Sequence, residues 1–158
     1  MALDATVRES NVWDSIRKFF VDNLAKGGPA IPIMFDSGIS EPKVSGNKDL
    51  VEKWLNIESG EILTGSVSSY KFDVVCCTRK DNAGFKLTQL RDTLMQYLKP
   101  NGEQGIIPLY QTRVKPAPWT DTGIGMLICI DSESKKINAT NEIKFKVLTI
   151  TLLWGAIA

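Results

Sequence analysis

The segment 54–98 constrains the fold most, because a strand pattern in it runs directly into a helix pattern. Four apolar side chains occupy alternate positions of the strand pattern: Tyr70, Phe72, Val74 and Cys76. Polar side chains lie between them: Ser69, Lys71 and Asp73. This alternation is typical of a strand with one buried and one wet face. Apolar residues then recur at three- and four-residue steps, as in a helix that packs on a sheet: Leu87, Leu90, Leu94, Tyr97 and Leu98.

Length and composition fit one folded domain that spans residues 1–158. The chain has 158 residues, of which 43% are hydrophobic and 23% charged, as in ordinary globular domains. The net charge is +1, so no global field draws the protein to nucleic acid or to an acidic membrane. The order of patterns predicts an α+β fold, in which two helices pack on one face of a mixed or antiparallel sheet.

The first third of the chain predicts a helix and an edge strand. A helix is expected over residues 6–26, where an apolar stripe has helical spacing: Val12 or Trp13, Ile16, Phe20 and Leu24. The glycines and proline at 27–29 end it. Residues 30–36 predict a strand, and Pro32 favours an edge position because proline cannot donate to a strand ladder.

The remaining elements follow from turn residues and apolar runs. We expect a short strand at 54–58, a turn at Ser59-Gly60, and a long strand at 61–78 that bends near Gly65. Asp81 or Asn82 can cap the second helix, which ends before Pro100. Later strands are predicted at 106–112, 125–130 and 143–154, with a polar turn at 131–141. The apolar phase of the last strand changes near Val147, which predicts a bulge there or burial of both faces beyond it.

The residues that usually carry catalysis are poorly represented. Histidine is absent, which removes a common proton-transfer group and the commonest metal ligand. Ser66, Ser68 and Ser69 precede a strand and have no histidine to activate them, which excludes a serine triad. Asp131 and Glu133 provide too few oxygen ligands for a calcium loop. We therefore expect no enzyme activity, no cofactor and no metal site.

The cysteines and the apolar runs indicate a reduced, non-membrane protein. Cys76, Cys77 and Cys129 lie in apolar strand patterns and are expected to be free thiols of a cytosolic protein. Cys76 and Cys77 are poorly placed to pair with each other, because adjacent strand residues point to opposite faces. The N-terminal residues lack a secretory-signal pattern, and the run 147–158 is shorter than the about 20 residues of a membrane helix.

Two loops and the last strand provide the candidate interaction residues. Residues 37–48 and 113–123 contain few apolar groups, so we expect surface loops that are suited to contacts with partners. The last strand is long and apolar, and it needs cover from the helices or from a neighbouring subunit. The candidate interface residues are Lys43, Lys48, Arg113, Lys115, Trp119 and Trp154.

The order of helix, strand, loop, strand pair, helix and closing strands resembles the tail terminator proteins of long-tailed bacteriophages, the family of the minor tail protein U of phage lambda. The resemblance covers nearly the whole chain and is one of pattern. The segments that carry it are 13–20, 31–36, 54–78, 85–98 and 143–154. The chain departs from the shorter family members in its loops 43–49 and 113–123.

The resemblance implies a structural virion protein rather than an enzyme. Such a protein forms a six-membered ring at the head-proximal end of the tail tube, stops tube polymerisation and contacts the head connector. DNA passes through the ring without sequence-specific binding. A head-completion, neck or tail-tube protein remains an alternative, as does an α+β domain that binds a small ligand or another protein. An enzyme without histidine is the third alternative.

Overall fold

A computed structural model describes residues 6, 8–36, 52–113, 118–138 and 143–155 of the chain. The two α-helices of the described residues are α1 (Glu9–Phe20) and α2 (Phe85–Leu98). The strands are β1 (Ile33–Phe35), β2 (Lys53–Leu63), β3 (Val67–Arg79), β4 (Ile106–Gln111), β5 (Thr120–Asn138) and β6 (Ile143–Gly155). The α+β fold class predicted from the sequence is confirmed. The predicted loop at 37–48, with Lys43 and Lys48, lies outside the described residues, as does Lys115.

The six strands form one mixed sheet with the order β1-β2-β3-β6-β5-β4. β1 is parallel to β2, and every other neighbouring pair is antiparallel. Pro32 precedes β1 at one edge of the sheet, as its missing N–H predicted. Its carbonyl accepts a 2.9 Å hydrogen bond from the Leu55 amide of β2. Pro108 lies in β4, the strand at the other edge.

Both helices pack on one face of the sheet, here called the helical face. Each helical segment buries the apolar stripe that the spacing predicted. In the first segment the stripe is Val12, Ile16, Phe20 and Leu24, and in α2 it is Leu87, Leu90, Leu94 and Leu98. They cover the predicted apolar face of β3: Tyr70, Phe72, Val74 and Cys76. Burial of this many large apolar side chains is the main source of folding free energy.

The first helix continues past Phe20 as one wider π-helical turn over Val21–Ala25. The Lys26 amide donates to the Val21 carbonyl at 2.8 Å, and the Ile31 amide donates to the Leu24 carbonyl at the same distance. The whole helical segment therefore covers 9–25, close to the predicted 6–26. It ends at Gly27, where a Cβ would lie 2.2 Å from the carbonyl oxygen of Asn23.

The predicted turn at Ser59-Gly60 is wrong, because these residues form a bulge inside β2. The pairing of β2 with β3 shifts between Glu58 and Glu61, and the chain turns later, between the two strands. A Cβ on Gly60 would lie 1.7 Å from the carbonyl oxygen of Lys71. The glycine thus marks a close approach of two strands rather than a hairpin turn.

The predicted polar turn after Ile130 is also wrong over its described part, which continues β5 to Asn138. These residues pair with β6 as far as Ile143. The pairing shifts once, between Ile130 and Ser132, so the bulge lies at Asp131 in β5. The polar composition indicated a turn, but backbone hydrogen bonds to a neighbouring strand hold the segment extended.

The apolar phase of β6 changes because the sheet has apolar clusters on both faces. The even-numbered residues of its second half face the helices: Leu148, Ile150, Leu152 and Trp154. The odd-numbered residues of its first half join a smaller cluster on the opposite face: Ile143, Phe145 and Val147, with Trp54, Val75 and Cys77. The pairing of β6 with β3 is continuous, so the predicted bulge near Val147 is wrong. The strand changes its apolar face instead, and the second face of β3 is wet only in part.

Asp81 caps α2, as the sequence predicted, but from three residues before the helical N-cap. The N-cap is Gly84, whose φ is +75°. The Asp81 carboxylate accepts hydrogen bonds of 2.8 Å from the amides of Lys86 and Leu87, and one of 3.0 Å from the Thr78 hydroxyl. Two free amides of the first turn are thereby satisfied.

Candidate interaction surfaces

Helix α1 closes the β4 edge of the sheet. The Ser15 hydroxyl accepts a 2.9 Å hydrogen bond from the Tyr110 amide, and the Asn11 side-chain oxygen accepts one of 3.2 Å from the Thr112 amide. Pro108 has no amide hydrogen to offer. An exposed edge strand can add a foreign strand, so these contacts protect β4. At this end of β4, side chains of α1 therefore occupy the position at which a foreign strand would pair.

A groove with a volume of about 750 Å³ lies beside this edge, between the first helix and the end of β4. Its charged lining consists of four cations and two carboxylates: Arg17, Lys18, Lys26, Arg113, Asp14 and Asp22. Trp119 lines the same groove. We call these seven residues the basic groove.

Ion pairs organise one side of the basic groove. Asp14 is nearly buried, and its carboxylate lies 3.2 Å from Arg113 and 3.8 Å from Arg17. It also accepts a 2.9 Å hydrogen bond from the Thr112 hydroxyl. This anchors Arg113, whose side chain is otherwise exposed, at the start of the predicted loop. The Asp14 carboxylate therefore has its partners within the subunit, while the side chains of Arg17 and Arg113 remain largely exposed to solvent.

Aromatic contacts position the other side of the groove. Lys18 forms an ion pair with Asp22, and the hydrogen bond that its ammonium donates to the Asp22 carboxylate raises the pKa of Lys18. The Lys18 ammonium also lies 5.5 Å from the centre of the Tyr110 ring, a cation–π distance. The Tyr110 ring packs edge-to-face against Trp119 at 6.3 Å. Trp119 is still 46% exposed, so a large part of its indole faces solvent.

The candidate interface residue of the last strand lies in a different environment from those of the predicted loop. Arg113 and Trp119 both line the basic groove, and their role as contact residues stays a prediction. Trp154 is 3% exposed and belongs to the core under the helical face, so its side chain offers little surface to a partner. Its indole nitrogen donates to a backbone carbonyl inside the subunit. The last strand is covered by its own helices and by the start of the chain.

The face of the sheet opposite α1 and α2, here called the outer face, exposes apolar side chains at one end. The strand pairing places Ile106 beside Leu127, Leu127 beside Leu153, Leu153 beside Ser69, and Ser69 beside Leu63. Three of these side chains are well exposed: Ile106 at 52%, Leu127 at 40% and Leu63 at 66%. We call Ile106, Leu127, Leu153 and Leu63 the apolar row.

Next to the apolar row, the outer face is acidic. Glu61 pairs with Lys71, and Glu58 pairs with Asp73 on the same face. The Asp73 carboxylate accepts a 2.9 Å hydrogen bond from Thr149, and Asp131 accepts one from Thr151. We call Glu58, Glu61, Asp73 and Asp131 the acidic band. Lys71 is the cation among them.

Sequence reasoning missed both outer-face surfaces. Together, the two surfaces draw their residues from five strands, β2 to β6. Most of these residues are distant from one another in the chain, so no local sequence motif contains them. A weak signal was present in Ile106-Ile107 and Leu127-Ile128, since two consecutive apolar residues in a strand place one on each face. Ile107 and Ile128 are buried under the helices, which leaves Ile106 and Leu127 on the outer face.

The described ranges contain no group of three or more His, Cys, Asp or Glu side chains that could hold a metal ion. Among the helices the structure describes, none is long and apolar enough to cross a membrane. Cys76 and Cys77 are buried free thiols and Cys129 is a partly exposed one.

Comparison with known proteins shows similarity in fold alone. No protein-family model matches the chain, and no curated protein matches it. Fourteen chains of solved structures match. One of them, whose name states no function, is similar over 96% of this chain and 98% of that chain, with a TM-score of 0.58 and 9% sequence identity. This similarity shows that the two chains share a fold.

Proposed function

We propose that this chain is a structural virion protein that caps the head-proximal end of a phage tail tube. Six copies form a ring there, stop polymerisation of the tube protein and join the tail to the head connector. DNA passes through the ring without sequence-specific binding. The protein is assembled in the host cytoplasm and stays in the virion at the top of the tail.

One observation carries the proposal that this is an assembly protein. The outer face of the sheet exposes large apolar side chains of the apolar row, with Ile106 beside Leu127 at one end and Leu63 beyond Ser69 at the other, and exposed apolar side chains grouped in this way favour a surface that another molecule covers. The order of elements resembles the tail terminator family, which supports the choice among assembly proteins. The near-neutral net charge is consistent with a ring through which DNA passes and to which DNA does not bind tightly.

The basic groove favours a second candidate, an α+β domain that binds an anionic ligand or protein segment. It combines cations with the exposed indole of Trp119, the side-chain types that anchor many protein contacts. The two candidates differ in self-association, because a ring protein uses copies of itself as the first partner. A head-completion or tail-tube protein differs from a terminator only in where it lies in the particle.

Deletion of the gene from its phage genome, followed by electron microscopy of the tails, tests the proposal. A terminator stops tube growth, so its loss should give tails without heads and with uncontrolled length. Antibody labelling of normal particles should mark only the head-proximal tail end. Tails of normal length in the deletion, or label at the distal tip or along the tube, would overturn the proposed function.

A further inference from the structure

We propose that the ring is held by a head-to-tail contact, in which the basic groove of one copy receives the acidic band and apolar row of the next copy. This inference rests on the proposed function, since it names the surfaces by which the copies of that ring meet. The two surfaces are different parts of one subunit. A contact between unlike surfaces repeats from copy to copy and closes into a ring or continues as a filament.

The position of the surfaces suits such a repeat. The basic groove lies beside α1 and the β4 edge of the sheet, whereas the acidic band and the apolar row lie on the outer face. The carboxylates of the band come from β2, β3 and β5, and the apolar row reaches from β2 to β4. The end of β4 is less open to pairing with a strand of another copy, because Ser15 accepts a hydrogen bond from the Tyr110 amide of β4 and Asn11 accepts one from the Thr112 amide that follows it. This favours contact through side chains at this end, which the groove supplies.

Charge complementarity identifies a second copy of the chain as the occupant. The basic groove has two more cations than carboxylates, while the acidic band has four carboxylates around Lys71. The whole chain has a net charge of only +1, so the unequal charges of these two surfaces do not come from an overall excess of one sign. Opposite potentials on one subunit attract copies in the head-to-tail orientation and repel the like-to-like orientation.

The apolar groups of the two surfaces also correspond. In β2, Leu63 of the apolar row lies two residues from Glu61 of the acidic band, on the same face. In the basic groove, the exposed indole of Trp119 lies with Lys18 around the Tyr110 ring. Each surface thus places an apolar group beside charges. Stable contacts have this arrangement, with an apolar centre and a polar rim.

A charge-exchange experiment tests the contact in the full chain. The groove variant carries Lys18→Glu and Lys26→Glu, and the band variant carries Glu61→Lys and Asp131→Lys. Sedimentation at the highest soluble concentration should show association for the wild type. Each variant alone should lose about tenfold or more in association constant, because like charges then meet across the contact. Added salt should weaken the wild-type association.

A one-to-one mixture of the two variants distinguishes this contact from a general charge effect. In the mixture, the reversed groove meets the reversed band and the unchanged groove meets the unchanged band, so alternating rings with an even number of copies should form. Lys53→Glu with Lys99→Glu makes the same charge change on other exposed lysines and is the matched control. Circular dichroism and thermal unfolding confirm that each variant is folded.

Three outcomes would overturn the inference. These are a wild type that stays monomeric, variants that associate as the wild type does, and a mixture of folded variants that fails to associate. None of them decides where the protein lies in the particle, which the tail micrographs test separately. If the tails are capped normally and the variants associate as the wild type does, the proposed function still holds, but the ring contact lies on other surfaces.

Discussion

The indole nitrogen of Trp154 donates a 2.9 Å hydrogen bond to the carbonyl oxygen of Thr6. This contact joins the end of the last strand to the start of the chain, 148 residues away. The Trp154 side chain closes one end of the core between the sheet and the helices. It combines a large buried apolar surface with a satisfied polar group, as buried tryptophans usually do.

Trp154→Ala should lower the free energy of unfolding by about 3–5 kcal/mol, because it leaves a cavity and removes the hydrogen bond to Thr6. Urea unfolding followed by circular dichroism measures the loss. Trp154→Phe keeps most of the apolar volume and should cost about half as much or less. An unfolding curve like that of the wild type for Trp154→Ala would show that the indole does not belong to the core.

Acid should weaken the start of α2 through Asp81. Burial alone would raise the pKa of its carboxyl, but hydrogen bonds from the amides of Lys86 and Leu87, with Thr78 and the charge of Lys144, hold that pKa below its usual value. The folded pKa then lies below the unfolded value of about 3.9. The stabilisation is therefore complete above about pH 4 and is lost as pH falls through the folded pKa.

Unfolding free energies measured between neutral and acid pH check this. Asp81→Asn removes the titrating group, so the difference between wild type and variant should shrink as the pH falls. Asp92→Asn, at an exposed carboxylate on the same helix, is the matched control. A wild-type advantage over Asp81→Asn that stays constant into acid would contradict the role of the Asp81 charge.

The sequence predicted those parts of the fold that depend on local periodicity. The stripes of both helices and the buried face of β3 follow from spacing alone, and Pro32 indicated the sheet edge. The long β5 could not be predicted, since residues 131–138 are extended only because β6 supplies their hydrogen bonds. The interaction surfaces depend on strand order, which brings Leu63 and Ile106 onto one face from distant parts of the chain.

Gly60→Ala should destabilise the protein by about 1–3 kcal/mol or more, because the new Cβ would meet the backbone of Lys71 and no side chain could move aside. Gly65→Ala is the matched control. A Cβ at Gly65 meets only the carbonyl oxygen of Val67, at an ordinary 3.6 Å. Equal thermal stability of the two variants would argue against the bulge.

Ser15→Ala should cost about 1–3 kcal/mol, since it leaves the Tyr110 amide at the protected edge without its acceptor. Hydrogen exchange of that amide should accelerate more than exchange in the centre of the sheet. The Ser15 hydroxyl donates to the Asn11 carbonyl, one turn back in α1. Thr88→Ala is the matched control, because the Thr88 hydroxyl donates in the same way to the Gly84 carbonyl at the start of α2. Slow exchange at Tyr110 in Ser15→Ala would show that another group protects the β4 edge.

The three thiols should differ in reactivity because of burial. Burial raises the pKa of the Cys77 thiol to about 12 and raises that of Cys76 as well, so neither forms the nucleophilic thiolate at pH 8. Cys129 is partly exposed on the outer face, where the Gln104 amide lies 3.2 Å from its sulfur. Iodoacetamide at pH 8 should therefore modify Cys129 and spare the other two in the folded protein.

Mass spectrometry of intact and digested protein counts and locates the modified thiols. Three should react in denaturant, one in the folded wild type, and none in folded Cys129→Ser. Because the wild type and the variant differ only at the accessible position, their difference isolates that thiol from slow global unfolding. Modification of Cys76 or Cys77 in folded Cys129→Ser, faster than the protein unfolds, would contradict the placement of these side chains in the two apolar clusters.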